Sequence, residues 1–378
     1  MSGSPVPGPA RAMVIEWRAG RIADPYGRLR YLRRQTGRRP EFGPWTRVAS
    51  GLILLLIPLQ PMRDATIPIA NQVSSVSRLP KTETRPVWLV EQGSDHETYS
   101  NGLRIDNRFT VETRRRLYGA FDRTRPESDT VQWLSDPAGI VYHATESDVA
   151  PLQPDETARL QRIGEALLDY VRRRRSYHFL IDRFGRVYRV VDENDRANHA
   201  GHSIWADRQW LYLNLNDSFL GVAFEAHTGQ DGESRLEPAQ VQSGRALTEM
   251  LRYRYTLSEA NCVSHAQVSV NPRNMQIGYH TDWANGFPFR DLGLEDNYTL
   301  PVAGVALFGF GYSSDLVRAS GGRTWVGLES AAASIGEEAV THAVPPARYA
   351  RILQNSYRRK MTILYGTTAA EEINDEQQ

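Results

Sequence analysis

Only one cysteine, Cys262, occurs in 378 residues. A lone thiol excludes an intrachain disulfide and any metal site built from several cysteines. Net charge is scarce as well: 45 Lys and Arg against 44 Asp and Glu leave a formal +1. That balance excludes nucleic-acid binding driven by overall charge. No hydrophobic run reaches the ~20 residues that a membrane-spanning helix needs. The most apolar stretch, Gly51-Leu-Ile-Leu-Leu-Leu-Ile-Pro-Leu59, falls well short. Internal repeats are absent too, which excludes a solenoid or propeller.

What is present suits about two domains, at ~100–200 residues each. Hydrophobic residues make up 40% and charged residues 24%, a composition that can bury a globular core. Charge is uneven along the chain. Residues 1–50 hold ten Arg against Glu16, Asp24 and Glu41, a local +7 (10 − 3), and are rich in Gly and Pro. Such a segment reads as disordered. The apolar run after it has the length of a signal-peptide core, with the basic flank as its n-region. The expectation for residues 1–62 is therefore a basic disordered segment plus a short signal or anchor. It implies export to the periplasm or cell surface, or membrane attachment through residues 51–60 with the basic end in the cytoplasm. The alternative is a buried core strand in a cytoplasmic protein.

Residues 63–129 are polar and read as a lead-in with one or two short elements packed on the main domain. From about 130 to 297 the pattern sharpens. Gly139-Ile-Val-Tyr-His143 is a short β-branched run, hence a buried strand. Leu160, Ile163, Leu167, Leu168 and Val171 recur at helical spacing between Asp155 and Arg174. Tyr177–Val191 reads as two strands joined by a turn at Arg183–Gly185. Leu220–Glu225 and Cys262–His265 are further short strands, with a helix over Pro238–Tyr253 between them. Strands alternating with helices predict an α/β fold, a mixed central sheet flanked by helices. Residues 298–378 form a C-terminal accessory segment: a Gly-, Ser- and Ala-rich stretch, a helix over Pro345–Tyr365, then an acidic tail that reads as disordered after Thr367.

Among nine histidines, His143 and His265 end buried strands, and His280-Thr-Asp282 lies in a loop. Hydrolytic zinc is held by three His, Asp, Glu or Cys ligands with a fourth position left for water. Ligands on neighbouring strand ends plus one on a following loop can converge at the rim of a sheet. Spacing alone does not single them out, because no short HxxxH-type pattern is present.

Order and context add to this. Val141-Tyr-His143, Tyr177-His-Phe-Leu-Ile-Asp182, Arg196-Ala-Asn-His-Ala-Gly201, Gly221-Val-Ala-Phe-Glu225, Ser264-His-Ala-Gln-Val268, and His280-Thr-Asp282 with Gly286-Phe-Pro-Phe289 follow one another. This series resembles the type 2 N-acetylmuramoyl-L-alanine amidases, a family that includes the peptidoglycan recognition proteins. The resemblance spans about 160 residues. It implies zinc-dependent cleavage of the amide between N-acetylmuramic acid and the L-Ala of a peptidoglycan stem peptide. Peptidoglycan or muropeptides are then the partners, and nucleic acid is not. His143, His265 and Asp282 match the metal ligands, Glu225 the acid beside the attacking water, and His280 the place where the family has a Lys beside the reacting carbonyl, where it would act protonated or as a neutral donor. His178 and His199 fall where the family lines its pocket. Sixteen residues separate His265 from Asp282, so His280 stays open as an alternative third ligand. A recognition module that binds peptidoglycan without cutting it, and a zinc hydrolase of another amide, are the rival readings.

Overall fold

The computed structural model describes residues 85–228 and 236–372. The expectations for residues 1–62, the start of the lead-in and the last tail residues lie outside the described residues. Among the described residues, no helix is long and apolar enough to cross a membrane.

The organising element is β6 (Gly139–Ala144), six residues that are all buried. A strand buried on both faces is a continuous apolar run rather than an alternation, which is why Ile-Val-Tyr stands out in the sequence. It lies between β11 (Phe219–Phe224) and β12 (Cys262–Ser264), parallel to both. Beyond β11 come β7 (Phe179–Ile181), parallel to it, and β8 (Val187–Arg189), the antiparallel partner of β7. The β7–β8 turn passes through Gly185, whose φ of +78° suits a residue without Cβ.

Three strands from the lead-in complete this sheet: β1 (Leu89–Gln92), β2 (His96–Tyr99) and β3 (Arg104–Asp106). The order is β1-β2-β3-β8-β7-β11-β6-β12. Helix α1 (Thr157–Arg174) sets Leu167, Leu168 and Val171 against Leu180 and Ala223. Helix α2 (Pro238–Tyr255) sets Leu247, Met250 and Leu251 against Ile140, Val222 and Phe224. Those two sets alternate along the strands, so the helices cover opposite faces. The α/β class with a mixed, helix-flanked sheet holds.

The flanking segments are more deeply integrated than their composition suggests. β4 (Tyr118–Asp122) and β5 (Val131–Leu134) join β9 (Ile204–Ala206) and β10 (Trp210–Leu213) in a second sheet of order β5-β4-β10-β9. The lead-in thus supplies four strands before residue 129, not one or two elements. The C-terminal segment folds into α3 (Ala303–Phe308), α4 (Ser314–Ala319), α5 (Val326–Thr341) and α6 (Pro346–Glu372, broken at Gly366). Helix α6 continues past Thr367, where the sequence suggested disorder. One core cluster contains Phe121, Ile204, Phe219 and Val263 together with Val305, Phe308, Trp325 and Tyr357. Lys360 of α6 fixes the seam. Its buried ammonium lies 4.3 Å from the Phe121 ring centroid and donates to the Ser128 carbonyl at 2.6 Å.

Candidate active site

Residues converge at the C-terminal ends of the parallel strands. His143 is the fifth residue of β6 and pairs in register with Ala223 of β11. Side chains in register share a face, and residues two apart on a strand do too, so Glu225 projects from the same face as His143. On the other side, Ser264 of β12 pairs with Tyr142, and His265 follows at once. His265 opens a single helical turn, His265–Val268, closed by a reciprocal capping box between Ser264 and Gln267. Asp282 arrives on a loop. The Ala266 N–H donates to its carbonyl at 3.3 Å. Its carboxylate places Oδ1 2.8 Å from His265 Nδ1 and Oδ2 3.5 Å from His143 Nδ1. One ligand atom from each of His143, His265 and Asp282 lies within 4.8 Å of the others.

Hydrogen bonding decides what the cluster can hold. His199 Nε2 lies 3.3 Å from the Phe219 carbonyl, which only accepts, so Nε2 carries the proton. The neutral ring then offers Nδ1 as acceptor to His143 Nε2–H at 3.1 Å. His143 Nδ1 is left as a bare lone pair aimed at the Asp282 carboxylate. Burial, and then the neighbouring His265, hold His143 down at about 4, so no proton fills the gap at neutral pH. Burial would raise Asp282, but His265, the largest opposing cause, helps to keep the carboxylate well below its ordinary range. His265 Nε2 is also buried without a hydrogen-bond partner. A lone pair facing an ionised carboxylate, beside a second imidazole, is the donor set of a metal cation.

The N-acetylmuramoyl-L-alanine amidase family model matches residues 133–282. That match covers less than half of the chain and includes His143, His265 and Asp282. A curated relative, 1,6-anhydro-N-acetylmuramyl-L-alanine amidase AmpD of Haemophilus influenzae, is 32% identical over 109 residues, 29% of this chain and 54% of that protein. The chain thus spans about half the length of the curated relative it matches. Among solved structures, AmpDh3 of Pseudomonas aeruginosa aligns over 53% of this chain and 92% of its own, at 20% identity and a TM-score of 0.35. E. coli AmiD, in complex with anhydro-N-acetylmuramic acid-L-Ala-D-gamma-Glu-L-Lys, aligns over 42% and 56%, at 24% identity and a TM-score of 0.30.

Within the amidase-family domain the remaining sequence-derived residues separate. His280 stays outside the three-residue cluster and stacks on the His265 ring, with centroids 4.7 Å apart. Burial, and then His265, lower it to about 4, so at neutral pH it is a neutral donor rather than a cation. His178, expected in the pocket, is instead fully buried behind it. Its Nδ1 accepts the Gly221 N–H at 2.9 Å, and its Nε2 lies 3.1 Å from the Asp195 carbonyl and 2.8 Å from Arg116 Nη2. His199 is buried too and faces His143 rather than solvent. Gly221 is required beneath it, since a Cβ there would meet His199 Cγ at 2.6 Å. Glu225 is held by the Arg183 N–H at 3.2 Å, and burial raises its pKa.

Two site residues escaped the sequence reading. The Tyr177 ring lies 5.0 Å from His143, on a backbone at φ +62°, and burial, then Asp282, raise its pKa. Glu146, at φ +51°, has a raised pKa, chiefly from burial, and accepts from the Thr228 N–H at 3.2 Å. Left-handed non-glycine residues cluster at functional sites, but sequence alone carries no mark of them.

Proposed function

We propose that this protein is a zinc-dependent N-acetylmuramoyl-L-alanine amidase that hydrolyses the amide joining N-acetylmuramic acid to L-Ala. The observation that carries the reading is the His143 lone pair facing the Asp282 carboxylate, with His265 completing a three-ligand set inside the family match. Two neutral imidazoles and one carboxylate suit zinc with an open fourth position. When bound, zinc lowers the pKa of water to ~7 and polarises a carbonyl oxygen.

The chain's own groups do the rest. Glu225, on the same sheet face as His143, takes the proton of the attacking water and delivers it to the departing amine of L-Ala. Its raised pKa makes it the stronger base for the first half of that transfer. Tyr177 keeps its proton, and His280 is a neutral donor beside His265. Either can donate to the oxygen on which charge develops.

The test pairs metal content with product release. The purified chain should hold one zinc and release free stem peptide from muropeptide. Glu225→Gln should keep the zinc and lose ~10²–10⁴-fold in turnover. A variant that keeps full turnover removes Glu225 from the mechanism. Stoichiometric zinc with no release, and unchanged muropeptide affinity in Glu225→Gln, would favour a recognition module. The apolar run at Leu52–Leu59 supports export or membrane attachment. Recovery of the full chain in the soluble cytoplasmic fraction would contradict that.

A further inference from the structure

Asp282 is the proposed ligand with no strand beneath it, and apart from Ala266 the residues that hold its turn come from outside the family match, which ends at 282. Trp283, next in the chain, is fully buried at φ +57°, a conformation that L side chains rarely adopt. Such a residue persists only where its surroundings impose it. Two clamps do so here. The Tyr298 hydroxyl donates to the Trp283 carbonyl at 2.5 Å. The buried Trp325 indole N–H donates to the Ala284 carbonyl at 2.7 Å. The two clamping rings stack on each other, with centroids 5.3 Å apart and planes at 28°. At the entrance to the turn, Gly278 (φ +76°) lies so close to Leu316 of α4 that a Cβ would come within 2.9 Å of that side chain. The turn that carries Asp282 is therefore gripped at both ends by the C-terminal segment.

We propose that the C-terminal segment is part of the metal centre: Trp325, backed by Tyr298, is a positioning residue that fixes the turn presenting Asp282 to the ion. The inference rests on the reading of His143, His265 and Asp282 as a zinc site. A hydrogen bond to the backbone beside a ligand restricts where its carboxylate sits, and loss of such outer contacts typically weakens metal binding by ~10–100-fold.

The experiment uses the full chain and zinc itself, titrated against a chelator, with cobalt(II) as a spectroscopic probe of coordination. Trp325→Phe keeps a ring to stack on Tyr298 and deletes the N–H donor together with part of the indole's buried volume, so a stability control is read beside it. It should weaken zinc binding about tenfold and change the cobalt absorption spectrum. Leu353→Ala is the control, since Leu353 lies in a separate cluster with Ala339 and Tyr349. It should lower the melting temperature and leave zinc affinity and the cobalt spectrum at wild-type values. Zinc affinity unchanged in Trp325→Phe overturns the proposal while leaving the site reading intact. Failure of the wild type to bind zinc overturns the site reading itself. Should Trp325→Phe fail to fold, Tyr298→Phe, which removes one hydroxyl, decides by the same criterion.

Discussion

His143 and Asp282 face each other across 3.5 Å, yet the chain holds them in different ways. His143 sits inside a strand with hydrogen-bonded neighbours on both sides, and His199 fixes its ring. Asp282 sits on a loop whose backbone is held by Ala266, Tyr298 and Trp325. The first proposed ligand is placed by the sheet that defines the fold. The other depends on a segment that follows it in the chain and lies outside the family match. A sheet position is costly to alter because every neighbour is packed, whereas a loop ligand can be re-anchored from a distance. The difference locates where this chain has freedom to diverge.

The bluntest way to break the comparison is to remove the sheet-held ligand. His143→Ala should abolish measurable zinc binding and turnover together, because two remaining donors leave the ion underheld. Retained stoichiometric zinc in that variant would show that His143 is not a ligand. Acid is the next largest perturbation. Burial and then His265 hold His143 and His280 at about 4 in the fold, against 6.5 for a free imidazole. Between those values the unfolded chain binds more protons than the folded one, so stability must fall as pH drops from about 6.5 to about 4. For His143 this loss is on the order of 3 kcal/mol. Urea midpoints of the metal-free chain at pH 7 and pH 4 measure it, and equal midpoints would contradict it. The smallest effect tests the ring support on the sheet side. His199→Ala removes the acceptor of His143 Nε2–H and should weaken zinc binding by ~10–100-fold without abolishing it. An unchanged chelator titration would mean that the strand alone orients His143.

How much was legible in the sequence follows the same division. The β-branched run Ile140–Tyr142 and the amphipathic spacing of α1 disclose a central strand and a covering helix, because burial on both faces and a 3.6-residue period leave local marks. His143 and His265 end such segments, so local pattern and motif order agreed on them. Pairing between short, distant strands leaves no such mark, and the four lead-in strands β1 to β4 were legible only as one or two short elements. Helix α5 was hidden by its small residues, Gly327, Ala331 to Ala333 and Gly336, which read as flexible composition until Trp325 and Leu328 are seen in the core. His178 and His199 were legible as important, and the fold buries both of them. A histidine that satisfies a buried backbone and one that lines a pocket look alike in one dimension. Tyr177 and Glu146 are marked out by backbone conformation, which sequence does not display.

The most direct test of the whole account is release of free stem peptide from purified muropeptide by the zinc-loaded full chain, read as the appearance of the L-Ala amino group. The account predicts release by the wild type, and loss of that release in Glu225→Gln at unchanged zinc content. A zinc-loaded wild type that binds muropeptide and liberates no amine would contradict it.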